Sequence, residues 1–141
     1  ELLNDIFFDE LAENKLTDSK LSDKDGLLKI MRQQINSKIY GYKRQDISKN
    51  LLNDQNFICF TDIICSLLKS ELQCYYCRRE ILVLYDVARE TTQWTVDRID
   101  NNQGHNKDNY HIACLNCNLK RRRQSDDKFL FTKQLNIVKH Y

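Results

Sequence analysis

Residues 94–123 read WTVDRIDNNQGHNKDNYHIACLNCNLKRRR, and a second cysteine pair, Cys74-Tyr75-Tyr76-Cys77, precedes them. Cys114 and Cys117 repeat the two-residue spacing of Cys74 and Cys77. Two such knuckles present four thiolates to one tetrahedral ion, which is structural zinc chemistry rather than a pair of nested disulfides. The 36 residues between the knuckles must fold back on themselves to return the chain to the metal. That segment carries acids, arginines, two histidines and asparagines, more polar chemistry than a structural hairpin needs.

The surrounding pattern predicts an α+β protein. Leu27, Met31, Ile35 and Ile39 recur every four residues and form one apolar helical stripe, which Gly41 is expected to end. Residues 1–16 read as an acidic amphipathic helix and 54–70 as a further helix burying Phe57, Ile58, Ile64, Leu67 and Leu68. Ile81 to Tyr85, Gln93 to Ile99 and Asn109 to Ala113 read as strands, with a polar loop at 100–108 and a helix from Leu115. The organisation expected is a helical region at 1–73, a zinc-stapled ββα module at 74–123 and a C-terminal helical extension at 124–141. Cys59 and Cys65 lie in the apolar helical stretch and are expected to be small buried hydrophobes.

The chain of 141 residues has a net charge of +2 that hides an asymmetry. Residues 1–25 hold eight acids against three lysines, and residues 74–123 hold nine Lys and Arg against six acids. The bases cluster at Lys120, Arg121, Arg122 and Arg123, a pattern suited to phosphate contact. No apolar run approaches the roughly 20 residues of a membrane span. Thirteen asparagines form no glycosylation sequon, so an intracellular setting is expected.

The blocks VDRID, GHNKDNYHIAC and CNLK resemble HNH nucleases of the ββα-metal (His-Me finger) superfamily. The resemblance is to zinc-knuckle members of the recombination endonuclease VII type and to HNH proteins of large DNA viruses. It covers residues 74–123. It implies that Cys74, Cys77, Cys114 and Cys117 hold structural zinc, and that Asp97 and Asn118 bind catalytic magnesium or manganese. Asn109 then braces the loop. Arg98 stands where the family places a general-base histidine, and arginine stays protonated. Arg98 would instead clamp a phosphate oxygen. Three readings of that departure remain open: His105 is the base, His111 is the base, or no base exists and the module binds nucleic acid without cutting.

A metal-dependent endonuclease hydrolysing DNA phosphodiester bonds, double-stranded or branched, is therefore expected, with a 5′-phosphate product. The alternatives are a decayed HNH module that binds nucleic acid or serves in a virion, and a zinc domain used for protein contacts. If the chain is viral, the setting is the host cytoplasm, the nucleus or the virion. Relatives of this kind often work as dimers, so a homodimer belongs among the expected partners. Trp94 and Tyr110 are expected to pack the small sheet, and Asp100 to cap the loop rather than bind metal.

Overall fold

The computed structural model describes residues 24–139. The helix expected at 1–16 lies outside them. Four helices and one two-stranded sheet follow in the order α1 (Lys24–Ser48), α2 (Phe60–Lys69), β1 (Trp94–Arg98), β2 (Tyr110–Cys114), α3 (Leu115–Arg121) and α4 (Asp126–Lys139). The strands are antiparallel, in a register that pairs Trp94 with Cys114 and Asp97 with His111. The protein is α+β. Among the described residues, no helix is long and apolar enough to cross a membrane.

The apolar stripe of α1 meets the core through Met31 and Ile35, both buried, with Ile39 and Tyr42 packed beside them. The helix runs through Gly41 instead of ending there. A glycine inside a helix costs only about 1 kcal/mol relative to alanine, and the next turn is anchored. Tyr42 Oη accepts a hydrogen bond from the Val96 amide at 3.1 Å, and Asp46 is fully buried. Asn50 ends the helix in a left-handed conformation (φ 55°). The Asn50 and Leu51 amides return to the Ile47 and Asp46 carbonyls at 3.1 and 2.8 Å, a Schellman closure.

Residues 54–56 form a turn, Phe57 bridges to Asn106, and α2 begins only at Phe60, where the Asp62 carboxylate accepts the Cys59 amide at 2.8 Å. Ile63, Ile64 and Leu67 bury its inner face. Cys59 is exposed and Cys65 only half-buried, contrary to the core role expected of them: Cys59 is the N-cap of α2, ahead of its first turn, and Cys65 lies beside the buried face. The strand expected at Ile81–Tyr85 reduces to single bridges. Ile81 and Val83 are buried in strand-like alternation, yet the backbone bonds Leu72 on one side and Thr92 on the other without building a ladder.

One core spans both sides of position 74. Met31 and Ile35 of α1 and Ile63, Ile64 and Leu67 of α2 pack with Tyr76, Trp94, Val96, Ile112 and Phe129. A module of some 50 residues buries too little apolar surface to be stable alone; here the helices supply the missing half. Gly104 marks the tightest junction, since a Cβ there would lie 2.6 Å from Asp46 Oδ2 and 2.7 Å from the Leu51 carbonyl. Nothing lies within 4 Å of a Cβ at Gly41. Gly104→Ala is therefore expected to destabilise by about 1–3 kcal/mol, and Gly41→Ala to stabilise by about 0.5–1 kcal/mol. Urea unfolding of the two variants checks the opposite signs.

Candidate metal centre and basic cleft

The four knuckle cysteines converge, with their sulfurs all within 4.8 Å of one another. Cys77 and Cys114 Sγ are 3.9 Å apart. Tetrahedral zinc with bonds of about 2.3 Å places its sulfurs roughly 3.8 Å apart, so the donor set fits a structural ion such as zinc. Hydrogen bonds from Cys114 and Cys117 hold the Cys74 thiol far below the usual range, and bonds to Cys114 and Cys74 push Cys117 far above it. Sulfurs at this spacing cannot all be thiolates without a cation, and a divalent ion removes that conflict. Cys114 also caps α3, accepting the Cys117 amide at 3.4 Å. One residue thus belongs both to the cysteine cluster and to the start of α3.

Asp97 sits on β1 beside that helix, 4% exposed. Its Oδ2 accepts from Arg121 Nη1 at 2.6 Å and from the Tyr76 hydroxyl. Burial pushes the Asp97 carboxyl up, and Tyr76 and Arg121 pull it down only in part. Burial opposes the charge on Arg121, but Asp97 outweighs it and holds the guanidinium protonated. The species is an ion pair, because a guanidinium does not neutralise in a protein.

Arg121 was expected on the surface with its neighbours. It is 1% exposed, and it also donates to the carbonyls of Arg98, Ile99 (2.8 Å) and Gln124 (2.9 Å). It lies one helical turn beyond the buried ligand Cys117, so the same helix face carries both inward. Asn118, the other expected metal ligand, turns its amide to Thr95 Oγ1 at 3.1 Å, two residues before Asp97 on the same face of β1.

The 100–108 loop is braced by hydrogen bonds from within and from Asn109, the residue before β2. Asn109 accepts the Asp100 amide at 2.8 Å and donates to the Asp100 and Gly104 carbonyls at 3.0 Å each, the bracing role expected of it. Asp100 caps the loop by accepting the Asn102 amide at 2.9 Å. His105 is 3% exposed, stacked on Tyr42, and bonded through Nδ1 to Asp46 at 2.7 Å. Burial lowers its pKa against the pull of Asp46. It joins α1 to the loop and does not face open solvent. His111 stacks on Tyr75 and bonds Asp126 through Nε2 at 3.0 Å.

Beyond Asp97 the surface opens into a cleft of about 620 Å³ whose walls include Lys49, Arg98, Arg122 and Arg123. Arg98 Nη1 donates to the Asn101 and Gln103 carbonyls at 3.3 and 3.2 Å, which aims its guanidinium along the rim. Lys49, Arg122 and Arg123 are exposed. Lys120 points elsewhere, into a cleft beside the zinc knuckles. The basic run thus divides between two clefts and the interior.

Sequence reasoning missed Asp46, Tyr76 and Asp126. Asp46 carried a signal: it continues the α1 spacing 35, 39, 42, 46, and a carboxylate on an apolar stripe demands a buried partner. Tyr76 and Asp126 carried none.

Two outcomes follow from this geometry. Native mass spectrometry should find one zinc per chain, lost with the folding transition in Cys114→Ser and retained in Cys59→Ser and Cys65→Ser. Arg121→Met should cost about 3–5 kcal/mol by stranding a buried carboxylate. Asp97→Asn added to it should recover part of that loss, which a double-mutant cycle under urea measures. No protein-family model matches this chain, and neither a curated protein nor a solved structure is significantly similar to it.

Proposed function

We propose that the protein is a zinc-stapled, HNH-like module that binds the phosphate backbone of DNA and does not cut it. The observation that carries this reading is the Asp97–Arg121 pair. An HNH site needs a carboxylate with free lone pairs to hold a divalent cation. Here the Asp97 Oδ2 is taken by a guanidinium at 2.6 Å and by the Tyr76 hydroxyl, so the carboxylate charge is already paired. Arg121 occupies the charge-neutralising role that the HNH resemblance gives to the metal. Arg98 stands in the base position and cannot accept a proton, while His105 is bound to Asp46. The order of strand, polar loop, strand and helix, with the helix opening at the second knuckle, supports the HNH-like scaffold.

The cations around the cleft support the binding half of the reading. Lys49, Arg98, Arg122 and Arg123 come from the end of α1, the end of β1 and the α3–α4 turn. Guanidinium groups match phosphate oxygens in pairs, and contacts of this kind are independent of base sequence. Four such contacts give a salt slope of roughly −3 to −4 in log affinity against log salt.

Fluorescence anisotropy with a short labelled duplex, titrated between about 50 and 200 mM salt, should return that slope. The triple variant Arg98→Gln, Arg122→Gln, Arg123→Gln should weaken binding at least about tenfold and lower the slope by roughly three. Absence of binding at low salt, or a triple variant indistinguishable from wild type, would overturn the proposal. Incubation of supercoiled plasmid with magnesium or manganese should leave it intact. Nicking by wild type that disappears in Asp97→Asn would replace the binding reading with a hydrolytic one.

A further inference from the structure

A second cleft, of about 500 Å³, lies where the first zinc knuckle meets α2 and β2. Tyr75, Arg78, Lys69 and Gln73 line it, with Tyr110 and His111 behind. Tyr75 is the second residue of the knuckle. Its ring stacks on His111 with centroids 3.7 Å apart and planes within 6°, and Tyr76 meets it edge-on. The stack is held from below, because His111 is paired with Asp126. Yet Tyr75 remains 37% exposed, in a chain whose Tyr76 and Trp94 are wholly buried.

Arg78 directly follows the knuckle and adopts φ 60°. Its amide donates to the Cys74 carbonyl at 3.0 Å, and Cys74 in turn bonds the Arg79 carbonyl at 2.9 Å, so the turn is locked around the metal ligand. Glycine takes this conformation without strain, whereas an L side chain costs roughly 1–2 kcal/mol. An exposed arginine at such a position faces the cleft, with exposed Lys69 at the end of α2 opposite.

We propose that this cleft is a stacking site for an unpaired nucleobase, with the phosphates on either side of that base held by Arg78 and Lys69. An aromatic face flanked by cations suits single-stranded nucleic acid, since every base has a π-face and every nucleotide a phosphate. The His111 ring behind Tyr75 fixes the platform, so little side-chain freedom is lost on binding. The zinc cluster serves recognition here, because Tyr75 and Arg78 are oriented by the knuckle that holds Cys74 and Cys77. The inference rests on the DNA-binding reading and names a structural feature of the DNA, an unpaired base, that the phosphate cleft alone would not select.

The test compares anisotropy titrations of a fully paired duplex and the same duplex with one unpaired adenine. Wild type should bind the bulged duplex about tenfold more tightly, the increment expected of one base stacked on one aromatic. Tyr75→Ala should lose that preference and keep its affinity for the paired duplex, while Tyr75→Phe should keep both. Zinc content and melting temperature matching wild type show that Tyr75→Ala is folded; if they fall, Arg78→Gln with Lys69→Gln serves instead and should lose most of the preference. Equal binding of the two duplexes by wild type, or a preference that survives these substitutions, overturns the stacking site while the phosphate cleft stands. Failure to bind either duplex overturns the DNA-binding reading itself.

Discussion

Four sulfurs brought into mutual contact are the constraint from which the rest of this structure follows. They join a turn at residues 74–77 to the first turn of α3, 36 residues later. The loop between them must close, and β1 and β2 are the hairpin that closes it. Because Cys114 is both a ligand and the cap of α3, helix register and metal geometry are set together. The helix then has no freedom in which residues it turns inward: Cys117 joins the cysteine cluster and Arg121, one turn on, goes to Asp97.

That second placement changes what Asp97 is able to do. A buried carboxylate needs a partner, and a divalent ion and a guanidinium are alternative solutions to the same electrostatic demand. A bound ion leaves coordination positions for water and substrate; a guanidinium offers none, and this one has donors committed to Asp97, Arg98, Ile99 and Gln124. The carbonyls of residues 98 and 99 close the end of β1, so Arg121 also shapes the rim from which Arg98 projects. The Asp97–Arg121 pair thus lies, through Arg121, in the wall of the basic cleft.

The zinc ligands, the hairpin and the bracing Asn109 were legible in the sequence because each rests on spacing, which backbone geometry converts directly into position. Arg121 was not legible. It stands among Lys120, Arg122 and Arg123, and composition alone marks all four as solvated. Only the helix register, fixed by the cysteines, separates the one that enters the core. The surroundings of His105 were illegible for a related reason. A histidine in a polar loop looks exposed until α1 is seen to run past Gly41 and deliver Asp46 to it. Gly41 was weighed as a stop signal by local propensity, while the burial of Tyr42 and Asp46 that overrides it comes from residues more than 50 positions away.

Five described non-glycine residues have positive φ, and two of them are Arg78 and Arg122. Arg122 ends α3 at φ 52°, ψ −114°, a region almost reserved for glycine. Strain of this kind persists only where the surroundings over-determine the backbone, and they do so in both cases: the Cys74 turn at Arg78, and the Arg121 network at Arg122. Relief by glycine would leave the fold intact and remove a cation from the wall of a cleft. The two strained arginines line different clefts, one beside the Tyr75 stack and one beside the ion pair of Asp97. Each is held by a buried network directly beneath it, the cysteine cluster under Arg78 and the Asp97–Arg121 pair under Arg122.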